Sequence, residues 1–132
     1  MKMIADANVL LRFVLGDDAE QYKLALDTME KSEAVAVTNH ALCEMAWVLR
    51  SRYAVSRPAI AATIRGLLET RNVLIDSAAV NAGLATLEAG ADFADGVIAY
   101  EGRWLGGETF VSFDKKAVAA IAKQGIKAEL LG

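Results

Sequence analysis

The sequence predicts an α/β protein: a three-layer α/β/α sandwich with a mainly parallel central sheet. Short apolar or β-branched runs alternate with longer stretches of helical periodicity along the whole chain, the pattern of strands joined by helical crossovers. No linker, internal repeat or low-complexity segment interrupts that alternation. The 132 residues fit a single domain, 1–132, long enough to bury a core.

Met1 to Ala5 reads as a short strand that stops at Asp6, and Asn8 to Leu15 as an apolar helix closed by Gly16. Asp17 or Asp18 can cap the next helix, about Ala19 to Glu30. Ala34-Val35-Ala36-Val37 is the second strand, and Thr38 or Asn39 caps a helix through about Arg52, with Ala41, Leu42, Met45, Val48 and Leu49 as its apolar stripe. Ser56-Arg57-Pro58 has the form of a helix start, a hydroxyl cap with proline in the first turn, and Ala59 to Glu69 continues it. Asn72 to Asp76 is a third strand, followed by a helix from Ser77 to Ala89 with Gly90 as its C-terminal cap. The next helix runs from Ala91-Asp92 to Leu105, with Phe93, Ala94, Val97, Ile98, Trp104 and Leu105 as the side that packs on a core. Gly106-Gly107 breaks it; Glu108 to Phe113 is the fourth strand, Lys115 to Lys123 a helix, and Ile126 to Leu130 a short edge strand.

Hydrophobic residues make up 55% of the chain and the mean hydropathy is +0.30. No apolar run approaches the roughly 18 residues of a membrane span, so the surplus belongs to a core and an oligomer interface. The N-terminus turns acidic too soon for a signal peptide. The lone Cys43 sits in an apolar helical pattern and reads as a buried structural thiol, which with the rest places the protein in the cytoplasm. The net charge is −3, whereas a protein that holds nucleic acid by charge alone is basic. A polyphosphate ligand would need a local basic rim or a bound metal.

Five acids stand where ligands gather in an α/β protein, beyond the carboxyl ends of strands or on the helices that follow. Asp6 and Asp114 end strands; Asp92 and Asp95, three residues apart, share one face of a helix start; Glu44 lies beside the apolar stripe of its helix. Each has an ordinary explanation as a cap or a solvated flank. Brought together, they would repel strongly unless they took up protons or a divalent cation. The donors are all hard oxygens and the chain has one histidine, His40, so the cation that suits them is Mg²⁺ or Mn²⁺. His40 is four residues before Glu44 and could pair with it, though a surface imidazole is the simpler role. Trp47 and Trp104 read as core or interface rather than as base-stacking platforms. No Walker loop, Gly-x-Gly-x-x-Gly or Gly-x-Ser-x-Gly is present.

Ile4-Ala5-Asp6-Ala7-Asn8-Val9-Leu10-Leu11-Arg12, Glu44, Ala91-Asp92-Phe93-Ala94-Asp95-Gly96-Val97-Ile98-Ala99 and Val111-Ser112-Phe113-Asp114-Lys115 together resemble PIN-domain ribonucleases, and within them the VapC-type toxins of bacterial toxin–antitoxin pairs. The resemblance spans the whole chain in the order and spacing of its acids. It implies that Asp6, Glu44, Asp95 and Asp114 hold Mg²⁺ or Mn²⁺ and are catalytic, with Asp92 as an additional or water-mediated ligand and Asn8 and Ser112 in support. Ala7 stands where the family often has Thr, and Ser112 where Thr is frequent; neither change removes a charge. The implied reaction is endonucleolytic hydrolysis of structured RNA, often tRNA or ribosomal RNA. The implied partners are a second copy in a homodimer and a cognate VapB-type antitoxin, with no membrane. Arg12, Lys115 and Lys116, and further Arg50, Arg52 and Arg103, are candidate phosphate contacts. Leu10, Leu11, Phe13, Val14 and Tyr53 are candidates for an antitoxin groove or dimer contact. Two other readings stay open: a metal-dependent phosphatase or DNA nuclease, and a PIN-like binding module that does not cut.

Overall fold

A computed structural model describes residues 1–132. The protein is α/β, with seven helices and five strands arranged in two small sheets in which every pairing is parallel. The sequence anticipates one sheet; alternation of strands with helical crossovers dictates parallel direction but not which edges pair. No helix is long and apolar enough to cross a membrane. The chain divides into two compact units, Met1–Asp76 and Ser77–Gly132.

The first unit runs β1 (Lys2–Ile4), α1 (Ala7–Leu15), α2 (Ala19–Lys31), β2 (Ala34–Val37), α3 (Asn39–Ser51), α4 (Arg57–Glu69) and β3 (Val73–Ile75). Its sheet has the order β1-β2-β3, with Ile4, Ala36 and Leu74 in one row across it. Helix starts follow the polar residues that the sequence offers. Asp6, Asp18, Thr38 and Ser56 each accept a hydrogen bond from a backbone N–H in the first turn of the helix they precede, satisfying donors that the helix itself cannot. Gly16, at φ 62°, closes α1 in the left-handed conformation that glycine adopts without strain. Leu10, Leu42, Met45, Leu49, Ile60 and Ile64 form the centre of the core, against Val35 and Val37 on one face of the sheet. The other face leaves Ile4 78% and Leu74 59% exposed.

The second unit runs α5 (Ser77–Glu88), α6 (Phe93–Trp104), β4 (Thr109–Ser112), α7 (Lys115–Ala122) and β5 (Lys127–Leu130). The unit β4-α7-β5 forms a parallel pair in register from Thr109–Lys127 to Ser112–Leu130. Phe110 packs inward against Ala91, Ala117 and Ala120, while Val111 and the following Phe113 are exposed. Helices α5 and α6 form the tightest contact. Phe93, 1% exposed, lays its ring on Gly83, and Gly96 admits α6 so closely that a Cβ there would collide with the Ala82 carbonyl oxygen and the Thr86 hydroxyl. Thr86, fully buried, donates to the Ala82 carbonyl at 3.0 Å and accepts from Gln124 Nε2 at 2.7 Å. That bond ties α5 to the end of α7.

Three side-chain expectations are corrected. Ile98, Trp104 and Leu105 are exposed rather than packed on the core, because α6 buries Phe93, Gly96, Val97 and Ala99 at its first two turns and projects its last turn into solvent. Trp47 is likewise exposed, on the side of α3 away from Leu42, Met45 and Leu49, which removes the core half of its expectation and leaves the interface half untouched. Cys43 is half-buried rather than buried.

Candidate functional site

In the second unit the Asp95 carboxyl lies within electrostatic range of two others, Asp92 and Asp114. Asp92 is the N-cap of α6, with φ −86° and ψ 144°, yet its side chain makes no bond to the first turn. Asp95 lies one turn on, and its N–H donates to the Asp92 carbonyl at 3.1 Å. Asp114 follows β4 and caps α7: its Oδ1 accepts from the Lys116 N–H at 2.9 Å and the Ala117 N–H at 3.3 Å, leaving Oδ2 uncommitted. The Asp114 N–H donates to Ser112 Oγ at 3.0 Å, so Ser112 fixes the turn that presents Asp114.

The electrostatics follow from this crowding. Burial first, then the charges of Asp92 and Asp114, push the Asp95 carboxyl up from the ordinary aspartate range, against a backbone hydrogen bond at Asp92 that pulls it down. Lys115 and Lys116 are exposed beside Asp114 at the start of α7.

In the first unit the acids have different company. Asp6 Oδ1 accepts from the Val9 N–H at 2.9 Å. Asp6, Asn8 and Arg12 line one groove of about 560 Å³, with Met3 beside them and Gln21 and Leu24 of α2 opposite. Arg12 holds Asp17 at 3.0 Å, a partly exposed pair of the kind worth at most about 1 kcal/mol, which a phosphate could displace. Glu44 is exposed on α3 and accepts from His40 Nε2 at 2.7 Å, with side-chain exposures of 56% and 86%. The helical spacing of four residues brings these two together; His40 is thus both a surface imidazole and the partner of Glu44.

In neither unit do three or more His, Cys, Asp and Glu side chains stand arranged round a single point. The donor set of the second unit nevertheless fits a hard divalent cation. It consists of carboxylate oxygens only, one carboxylate makes no cap bond, another retains a free oxygen, and the third is pushed up first by burial and then by its neighbours. A cation there would relieve the repulsion that adds to burial in raising Asp95.

Positioning residues that the motif reading passes over are Gly96, Thr86 and Gln124. Gly96 had a signal: a glycine inside a helix costs about 1 kcal/mol against alanine and so calls for a packing reason. Thr86 and Gln124 are 38 positions apart and carry no local signal of their bond. No protein-family model matches the chain, and no curated protein matches it.

Proposed function

We propose that the chain is a metal-dependent endoribonuclease of the PIN-domain class, of the VapC toxin type, that hydrolyses phosphodiester bonds in structured RNA such as tRNA or ribosomal RNA. The observation that carries the reading is the placement of Asp92, with no cap bond, and Asp95 in the first turn of α6, where burial and then the charges of Asp92 and Asp114 push the Asp95 carboxyl up. Asp95, Asp114 and Asp92 would hold Mg²⁺ or Mn²⁺; Asp6 and Glu44 are the remaining carboxylates that the family resemblance assigns to metal and catalysis. When bound, the ion supplies the positive charge that activates water and stabilises the leaving oxygen of a phosphodiester.

The residues of the chain have distinct duties in this reading. Ser112 holds the Asp114 turn, so that Oδ1 is fixed by α7 and Oδ2 is directed by that constraint. Asp95 precedes Gly96, whose close approach to Ala82 and Thr86 fixes where this part of α6 lies. Lys115, Lys116 and Arg12 contact phosphates of the RNA, with Asn8 in support of Asp6. The three-layer α/β/α architecture belongs to the same proposal. Parallel sheets are covered on both faces, and each sheet here has one packed face and one that exposes apolar residues, Ile4 and Leu74 in the first and Val111 in the second. A homodimer, a VapB-type antitoxin that occludes the acids, and a cytoplasmic setting complete it.

Purified protein should cut structured RNA with Mg²⁺ or Mn²⁺ and stop with EDTA or with Asp95→Asn. Parallel assays on RNA, DNA and a small phosphate ester separate the readings. Preference for the ester makes it a phosphatase, preference for DNA a DNA nuclease, and RNA binding with no cleavage a binding module.

A further inference from the structure

Away from the acids, the second unit carries a groove of about 820 Å³ lined by Tyr100, Arg103, Trp104, Glu108, Lys127 and the Gly106-Gly107 turn. We infer that this groove is a separate binding subsite for a single-stranded segment of RNA, with Trp104 as the platform on which a base stacks. The inference rests on the ribonuclease reading only for the identity of the nucleic acid.

Three observations carry it. Trp104 is 76% exposed at the last position of α6, a large apolar ring left in water beside a ligand-sized groove. Arg103 and Lys127 flank it, neither in a salt bridge within the chain, so two cations face one carboxylate, Glu108, in a protein of net charge −3. The Gly106-Gly107 turn, with Gly106 at φ +108°, presents backbone without side chains at the rim. An aromatic platform, uncommitted cations and accessible backbone are what a single strand requires: a π-face for the base and positive charge for the phosphates. A protein partner would favour a continuous apolar surface, whereas here the cations enter the groove itself.

The placement makes it distinct from the acid cluster. Trp104 is nine residues from Asp95, about 14 Å along the helix and half a turn round it. In β4 and β5 the groove meets the amino ends at Glu108 and Lys127, while Asp114 lies beyond the carboxyl end of β4. A folded RNA can reach both; a single nucleotide cannot. The groove would therefore select substrates by a flanking unpaired segment, not by the bond cut.

The test uses the full chain carrying Trp47→Phe, which leaves Trp104 as the only tryptophan, in EDTA so that nothing is cleaved. A single-stranded RNA of about 12 nucleotides should quench the remaining indole fluorescence. By anisotropy of labelled RNA, Trp104→Ala should weaken binding about tenfold or more, while Trp104→Phe retains most of the affinity. Arg103→Gln and Lys127→Gln should each flatten the slope of log affinity against log salt by about 0.7. Absence of quenching, or equal affinity in Trp104→Ala, overturns the inference. So does a mononucleotide such as AMP that binds as tightly as the strand, or a Trp104→Ala variant whose only change is in oligomeric state. Binding through Trp104 without cleavage under Mn²⁺ would remove the nuclease reading and leave the groove. Cleavage with unchanged affinity in Trp104→Ala would do the reverse.

Discussion

Asp6 and Asp92 both stand at the N-cap of a helix, one in each unit, and only Asp6 bonds the helix it precedes. The Asp6 carboxylate satisfies the Val9 N–H, whereas the Asp92 carboxylate makes no such bond and faces Asp95 as a like charge. The same contrast separates Glu44 from Asp95. Glu44 has His40 at 2.7 Å; Asp95 has two carboxylates close enough to raise its proton affinity. Acids placed for stability find donors. In the second unit Asp114 also finds donors, at Lys116 and Ala117, whereas Asp92 makes no cap bond and lies with Asp114 near Asp95 as a like charge.

The largest effect that would break this comparison is on activity. Asp95→Asn should lower RNA cleavage under Mn²⁺ by more than about 100-fold, since changes merely next to metal ligands already cost tenfold to 100-fold. The same substitution should raise the melting temperature of the metal-free protein at neutral pH. The sign follows from linkage. A carboxyl whose pKa is raised on folding binds more protons folded than unfolded, so its contribution to stability is fully present below the unfolded value and is lost as pH rises through the folded one. The gain from Asp95→Asn should thus vanish in acid, as thermal melts across pH will show.

Gly96→Ala comes next. The added methyl meets the Ala82 carbonyl and the Thr86 hydroxyl, overpacking that costs about 1–3 kcal/mol in denaturant melts and tilts Asp95 away from Asp114, with loss of Mn²⁺ affinity.

Caps give the direct contrast. Asp6→Ala should cost about 1 kcal/mol of stability through the lost bond to Val9, whereas Asp92→Ala should cost little or stabilise, because it removes a repulsion and no cap bond. Equal losses in the two variants would contradict the distinction. Smallest is His40→Ala, which removes an exposed pair and should shift stability by less than about 1 kcal/mol.

The sequence made nearly all local structure legible because its punctuation is explicit. Asp18, Thr38, Ser56 and Asp114 cap the helices that follow them, and Ala34–Val37 is a strand with the bounds that its β-branched pattern predicts. Periodicity failed at the end of α6. Trp104 and Leu105 continue the apolar pattern past the point where α5 is there to receive it, and nothing in the residue types says where a neighbour stops. The site was half legible. Spacing put Asp92 and Asp95 on one face, and the strand end placed Asp114. Which carboxylates are bonded depends on rotamers and on the α5–α6 approach through Gly96, which no pattern of acids encodes.

The central claim, that the carboxylates of the second unit hold a divalent cation, is tested most directly by calorimetric titration of Mn²⁺ into the wild-type chain and Asp95→Asn, each in two buffers of different ionisation enthalpy. The wild type should bind Mn²⁺ and release protons, increasingly so as pH falls, because the ion competes with protons for the Asp95 carboxyl, whose proton affinity is raised; the variant should bind at least about tenfold more weakly and release fewer. Equal Mn²⁺ affinity in the two proteins, with no difference in protons released, would contradict the account.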